Sequence, residues 1–166
     1  MDDYSHSIKR AFDRLNRSIE RDSLVQTTTK SIHQSLQVDR VVLYYFYSRW
    51  RGQVTFESLS DERFSILGST GGDDCFNDNY AELYLAGRVR AIADIQAEAI
   101  QPCHREFLES LHVQANLVVP ILTPKGLWGL FVAHHCRAIH PWSAKDIELM
   151  QQGAKVLAAA PTIRDS

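Results

Sequence analysis

Two apolar runs, residues 117–122 and 127–135, flank Thr123-Pro124-Lys125-Gly126, and this pair limits what the chain can become more than any other segment. Proline in second and glycine in fourth place suit a tight turn, and the flanking runs are rich in strand-forming residues. The pair is therefore predicted as a β-hairpin. A third run, residues 38–47, is mostly β-branched and aromatic and reads as another strand. Arg51-Gly52 is expected to turn the chain into a fourth, residues 53–59, with Val54, Phe56 and Ser58 on one side. Residues 89–92 are predicted as a short fifth strand. Sheets built from such strands need a covering layer, and the rest of the chain supplies helices.

Ile8, Phe12, Leu15 and Ile19 recur at three- and four-residue spacing, which predicts an amphipathic helix over residues 4–21. Ser23 is expected to cap a second helix, whose buried face includes Val25, Ile32 and Leu36. Gly68, Gly71 and Gly72 mark a loop that delivers residues 73–76 to a helix start. In that helix Tyr80, Leu83 and Tyr84 are expected to face inward, with Gly87 as the stop. Pro102 fits the first turn of a further helix. Cys103, Phe107 and Leu111 share one of its faces, so the thiol is expected to point inward. Ser143 with Asp146 resembles a capping box and opens a last helix with Ile147, Met150 and Leu157 inward. The order predicts an α+β domain with a central antiparallel sheet and helices on its faces. It is read as a single domain, 1–166, with segments 1–22 and 143–160 as connecting helices.

Composition narrows the function. A chain of 166 residues, 45% hydrophobic and 23% charged, can bury a proper core as one domain. A formal charge of −2 provides no basic field for nucleic acid and no polybasic stretch for an anionic membrane. No apolar run approaches the roughly 20 residues of a membrane span. The opening Met-Asp-Asp-Tyr-Ser is acidic and polar, unlike a signal peptide, so a cytoplasmic location is expected. Three cysteines, Cys75, Cys103 and Cys136, are then read as free thiols.

Two of those thiols sit in contrasting settings. Cys75 follows Asp73 and Asp74, whose carboxylates discourage the thiolate, whereas Cys103 adjoins His104. Adjacent residues on a helix diverge by about 100°, so Cys103 and His104 suit a large ligand covering both better than a direct ion pair. Asp73 and Asp74 can cap a helix start, leaving one of them to accept N–H groups of a cationic ligand. Arg88 and Arg90 are expected to point to opposite faces of their strand, so that one reaches a ligand carboxylate. His134 and Cys136 should share one strand face and His135 the other. No metal site is expected, because the spacing lacks a Cys-x2-Cys or similar pair.

Asp73-x-Cys75-Phe76, then Pro102-Cys103-His104, then Val113-x-Ala115-Asn116-Leu117-Val118-Val119-Pro120 follow one another along the chain. The last runs into Leu127-Trp128-Gly129-Leu130 and Ala133-His134-x-Cys136. In these blocks the chain, from about residue 23 to 160, resembles a cyanobacteriochrome GAF domain of the phytochrome superfamily, specifically the Asp-x-Cys-Phe subclass with a second cysteine. The resemblance implies a light-sensing domain holding a covalent linear tetrapyrrole, phycocyanobilin and/or its isomer phycoviolobilin. Cys103 would carry the permanent thioether to ring A, with His104 against the ring system. Asp73 would accept hydrogen bonds from pyrrole N–H groups, and Arg90, with Arg88, would hold a propionate. His134 would lie near the ring D carbonyl, and Phe76 and Tyr84 would complete the binding set. Cys75 would add reversibly to the central methine bridge. This implies a blue- or violet-absorbing dark state, converted by isomerisation at C15=C16 to a green-to-orange photoproduct. The family usually has proline between the Asp and Cys, where this chain has Asp74; the extra carboxylate should raise the Cys75 thiol pKa.

No output chemistry is visible, so a downstream output domain on the same or another chain is expected as partner, with the terminal helices able to pair two copies. Apart from autocatalytic chromophore attachment and possible bilin isomerisation, no enzyme activity is expected. Two other functions compete: a GAF-fold thiol redox enzyme resembling methionine sulfoxide reductases, and a colourless small-molecule-binding GAF module.

Overall fold

The computed structural model describes residues 2–48, 51–70 and 78–166. In chain order these form α1 (Asp2–Arg21), α2 (Ser23–Leu36), β1 (Arg40–Ser48), β2 (Arg51–Leu59), a 3-10 turn at Glu62–Phe64, and α3 (Asp78–Leu85). Then come β3 (Arg90–Ile92), α4 (Pro102–Ser110), β4 (Ala115–Thr123), β5 (Gly126–His135), α5 (Ala144–Ala159) and α6 (Pro161–Arg164). The strands form one sheet in the order β2-β1-β5-β4-β3, every neighbouring pair antiparallel. The predicted hairpin is β4–β5, closed where Thr123 pairs with Gly126, and Gly126 adopts a φ of 120° that suits glycine.

Strand alternation divides the interior in two. Val41 and Leu43 of β1, Leu117, Val119 and Ile121 of β4, and Phe131 and Ala133 of β5 face the helices. There they pack with Val25, Ile32 and Leu36 of α2 and with Met150, Ala154 and Leu157 of α5. At Gly153 the helices come so close that a Cβ would overlap Ile32, which is why α5 carries no side chain there. Ile19 is fully buried and Leu15 packs on the same core, as the α1 periodicity requires; the side chains of Ile8, Phe12 and Tyr80 lie outside the described set. On the opposite face Val42, Val118, Leu130 and Val132 form a second cluster with Val54 and Tyr84.

Several local expectations need correction. The cap of α2 is Asp22, whose Oδ1 accepts the N–H groups of Leu24 and Val25 at 2.9 and 3.2 Å; Ser23 is the first helical residue. Val54 and Phe56 do not share a side. Leu43 pairs with Phe56 and Tyr44 with Val54, so Thr55 enters as an extra residue and reverses the alternation. Val54 thus joins the second cluster and Phe56 the helix-side core. Arg51 and Gly52 lie within β2 rather than in a turn. Leu83 is exposed, because α3 presents Ala81 and Tyr84 inward. The capping box of α5 is present as expected, with Ser143 Oγ accepting from Asp146 N and Asp146 accepting from Ser143 N, both at 3.0 Å.

Candidate functional site

α4 stands, with α3 beside it, over the sheet face opposite the α2 and α5 core. Its inward stripe is His104, Phe107, Leu108 and Leu111, at the spacing of one helix face. Between this stripe and the sheet lies a cavity with about 890 Å³ of empty space counted to its open mouth. Val42, Tyr44 and Phe46 of β1, Asn116 and Val118 of β4, and Leu130, Val132 and His134 of β5 form its floor, with Tyr84 of α3 at its side. All the floor residues have even numbers, a direct consequence of strand alternation. The lining is mainly apolar, with a few polar groups among it.

Cys103 is exposed, against the expectation that it points inward, and His104 is half-buried in the cavity wall. The inward stripe of α4 is centred one residue later than Cys103, so Cys103 falls about 100° off it. Its sulfur is disulfide-bonded, which corrects the expectation of free thiols; Cys136 is free. The calls on Asp73, Asp74, Cys75 and Phe76 lie outside the described residues. Tyr84 is buried and lines the cavity.

Arg88 and Arg90 do not diverge. Residues two apart in an extended chain share a face, and the intervening Val89 packs against the helix-side core. Both guanidinium groups lie near enough to His104 to disfavour its protonation, adding to burial, which is the main cause lowering its pKa. Arg90 also sits 3.9 Å from Glu98, and the Arg88 guanidinium lies 5.8 Å from the centre of the Tyr84 ring.

His134 is 4% exposed, and its pKa is pushed well below the ordinary 6.5 by burial, by Arg40 and by His104. Arg40 Nε donates to His134 Nδ1 at 2.9 Å. The same guanidinium donates from Nη1 to the carbonyl of Phe64 at 2.9 Å and from Nη2 to that of Leu111 at 2.5 Å. One buried side chain thereby ties β1 to β5, to the 3-10 turn and to the end of α4. His135 points the other way, 3.3 Å from Asp39, while Cys136 lies beyond the strand end, its thiol pKa raised by burial and Asp39 against the opposing pull of Arg40 and Arg137. Sequence reasoning missed Arg40 and Asp39. The signal available was a charged pair heading an otherwise apolar strand, where burial forces each charge to find partners.

A chain with this sheet, these helices and this cavity belongs to the GAF domain family, whose model matches residues 20–160. Among relatives, an uncharacterized protein of Picosynechococcus sp. strain PCC 7002 is 48% identical, over 98% of this chain and 99% of its own length. A putative methyl-accepting chemotaxis protein of Synechocystis sp. strain PCC 6803 is 35% identical over 84% of this chain, which corresponds to 14% of that larger protein. Among solved structures, the blue-light absorbing form of the Thermosynechococcus elongatus PixJ GAF domain is 31% identical with a TM-score of 0.74, covering 84% of this chain and 85% of that one. The phycocyanobilin-bound GAF domain of a cyanobacterial phytochrome is 29% identical with a TM-score of 0.76, covering 96% and 94%. Some relatives are thus domains of larger signalling proteins.

Proposed function

We propose that this chain is a bilin-binding photoreceptor domain of the cyanobacteriochrome type, in the Asp-x-Cys-Phe subclass. The observation that carries the reading is the apolar cavity between α4 and the sheet, where burial lowers the pKa values of His104 and His134 and Arg88 and Arg90, outside the lining, stand near enough to His104 to add to its shift. It fits a long, flat, largely apolar ligand with a few polar groups and carboxylates. Asn116 Oδ1 is buried with no hydrogen-bond partner among the described residues, which supports a polar contact with a ligand there. The likeness to a GAF domain solved with phycocyanobilin supports phycocyanobilin or its isomer phycoviolobilin as that ligand.

When bound, the bilin supplies light absorption and a double bond, C15=C16, that light isomerises. The chain's own residues do the rest. Cys103, once reduced, supplies the thiol for the ring A thioether. His104 lies against the ring system and Arg90, with Arg88, holds a propionate. Asp73 accepts pyrrole N–H groups. Cys75 supplies the reversible second thioether that sets a blue- or violet-absorbing dark state against a green-to-orange photoproduct. Phe46, Leu130 and Val132 keep water from the cavity floor. The terminal helices pass the signal to an output unit, and no turnover chemistry beyond chromophore attachment is assigned.

Expression of the chain beside a phycocyanobilin-synthesising pathway tests this. The expected result is coloured, photoconvertible protein, with a zinc-fluorescent band on a denaturing gel that Cys103→Ala abolishes. Cys75→Ala keeps the band and loses the blue state. Colourless wild-type protein would overturn the reading. It would leave a thiol redox enzyme, which the disulfide of Cys103 favours, as the alternative.

A further inference from the structure

Among the described residues, no carboxylate bonds to the buried charge of Arg40. The side chain is 1% exposed, and its hydrogen bonds go to the His134 ring and to the carbonyls of Phe64 and Leu111, all uncharged. Buried charges are ordinarily paired, because an unpaired one is costly to desolvate. Asp39 and Glu57 are near enough to attract it. Each is engaged elsewhere: Asp39 accepts from Ser60, Cys136 and Arg137, and Glu57 from Ser65 and Ile66. A guanidinium has five N–H groups, so three hydrogen bonds leave Arg40 two more to give.

A second cavity opens on this guanidinium, with about 1150 Å³ of empty space counted to its mouth. It lies between the 3-10 turn, the end of α4 and the chain leaving β5. Arg40 lines it but does not line the cavity under α4, while Ile66, Ser69 and Leu111 border both. Two more arginines, Arg63 and Arg137, complete a lining that contains no carboxylate. Arg63 is exposed and lies 3.9 Å from Asp61, too long for a hydrogen bond, so its donors are open. Arg137 meets Asp39 with Nε and Nη2, both at 2.9 Å, and keeps Nη1. The Ser69 hydroxyl and the His112 ring add uncharged groups able to donate.

We propose that this second cavity binds a small oxyanion of the phosphate class, with Arg40 at its base and Arg63 and Arg137 at its mouth. Donors arrayed at base and mouth suit a tetrahedral anion, whose oxygens point several ways, better than a planar carboxylate. The site stands apart from the bilin reading and needs no pigment. Because Arg40 ties β1 to β5, to the 3-10 turn and to α4, an anion that offsets its charge also stabilises the junction of those elements.

Phosphorus-31 NMR of inorganic phosphate, titrated against the unpigmented chain at fixed ionic strength, reads binding directly. Wild type is expected to broaden or shift the phosphate line in a saturable way. Arg63→Gln is expected to raise the half-saturating concentration about tenfold, the size of one charge-assisted hydrogen bond. Lys155→Gln, the same loss of charge on α5, should leave it unchanged. Cys136 lines the same cavity, so saturating phosphate should also slow its alkylation by iodoacetamide, followed by peptide mapping. Should Arg63→Gln fail to fold, that protection in the wild type decides. Absence of saturable binding in wild type overturns the proposal. An equal loss in both variants, the mark of a diffuse surface field, overturns it too, as does binding that neither depends on Arg63 nor protects Cys136. Glycerol 3-phosphate separates two sources of the group: tighter binding than inorganic phosphate assigns the site to a phosphorylated small molecule, equal or weaker binding to the free ion, and either keeps the site.

Discussion

Asp39 Oδ2 accepts the backbone N–H of Cys136 at 2.8 Å, a side chain at the head of β1 holding the chain where it leaves β5. The same carboxylate takes the N–H of Arg137 at 3.1 Å and its Nε at 2.9 Å, the hydroxyl of Ser60 at 3.2 Å, and lies 3.3 Å from His135. Its side chain is fully buried. Burial alone would raise its pKa, but the Cys136 N–H, His135, Arg137 and Ser60 outweigh burial and hold it below the ordinary 3.8. Asp39→Asn removes the charge and places an amide N–H against donors. It should cost about 2–4 kcal/mol, measured as a lowered urea midpoint. A midpoint within error of wild type would show that this carboxylate does not anchor the strand end.

Gly129→Ala should be destabilising for a different reason. Gly129 lies between β1 and β4, paired with Tyr45 and Ile121. A Cβ there would overlap the Tyr44 carbonyl oxygen and come within 3.1 Å of Tyr45 Cα. Backbone in the middle of a sheet cannot give way as a flexible side chain can. A loss of about 3 kcal/mol is expected in urea unfolding. A loss below about 0.5 kcal/mol, the scale of a neutral surface change, would contradict the close approach.

The Leu-Trp-Gly-Leu block was legible as a motif before it had a physical reason, and much of the fold shares that history. The hairpin around Pro124 and Gly126, the Ser143 capping box and the apolar stripe of α5 are written in local spacing, so the chain discloses them without tertiary information. The cavity floor was half legible. Alternation groups Val118, Leu130, Val132 and His134, but nothing local says that the face is left for a ligand and not for a helix. The bulge at Thr55 and the outward turn of Cys103 were not legible. Each depends on register against a neighbour: one extra residue in β2, and a 100° rotation of α4. Arg40 was missed because its partners, Phe64, Leu111 and His134, are 24, 71 and 94 residues away.

Acid should destabilise the fold well before carboxylates titrate. His134 and His104 have pKa values lowered by burial, aided by Arg40 and His104 for the first and by Arg90 and Arg88 for the second. Unfolded histidines protonate as pH falls through about 6.5, while the folded ones resist, so the unfolded state binds more protons below that pH. Stability is therefore fully present above about 6.5 and declines as pH falls toward the lower folded values. Asp39, with its depressed pKa, adds its own loss only as pH falls past 3.8. Urea midpoints at pH 7.5 and 5.5 should differ, the second being lower, and His134→Gln should narrow the gap. Equal midpoints would mean that neither imidazole is held neutral.

Attachment of pigment should depend on reductant. A thioether forms from a thiolate, and the Cys103 sulfur is disulfide-bonded, so it has no proton to lose until that bond is opened. Exposure of Cys103 on the outer side of α4 gives a soluble dithiol direct access to it. Purified chain mixed with free phycocyanobilin should give little zinc-fluorescent product without reductant, and at least several-fold more after dithiothreitol. Peptide mapping after alkylation provides an independent check: the Cys103 peptide should be modified only when reduction precedes alkylation. Equal fluorescence with and without dithiothreitol, together with alkylation of Cys103 in the unreduced chain, would show that the disulfide does not control access to this thiol. Strong fluorescence from unreduced protein whose Cys103 resists alkylation would move the covalent anchor to another cysteine.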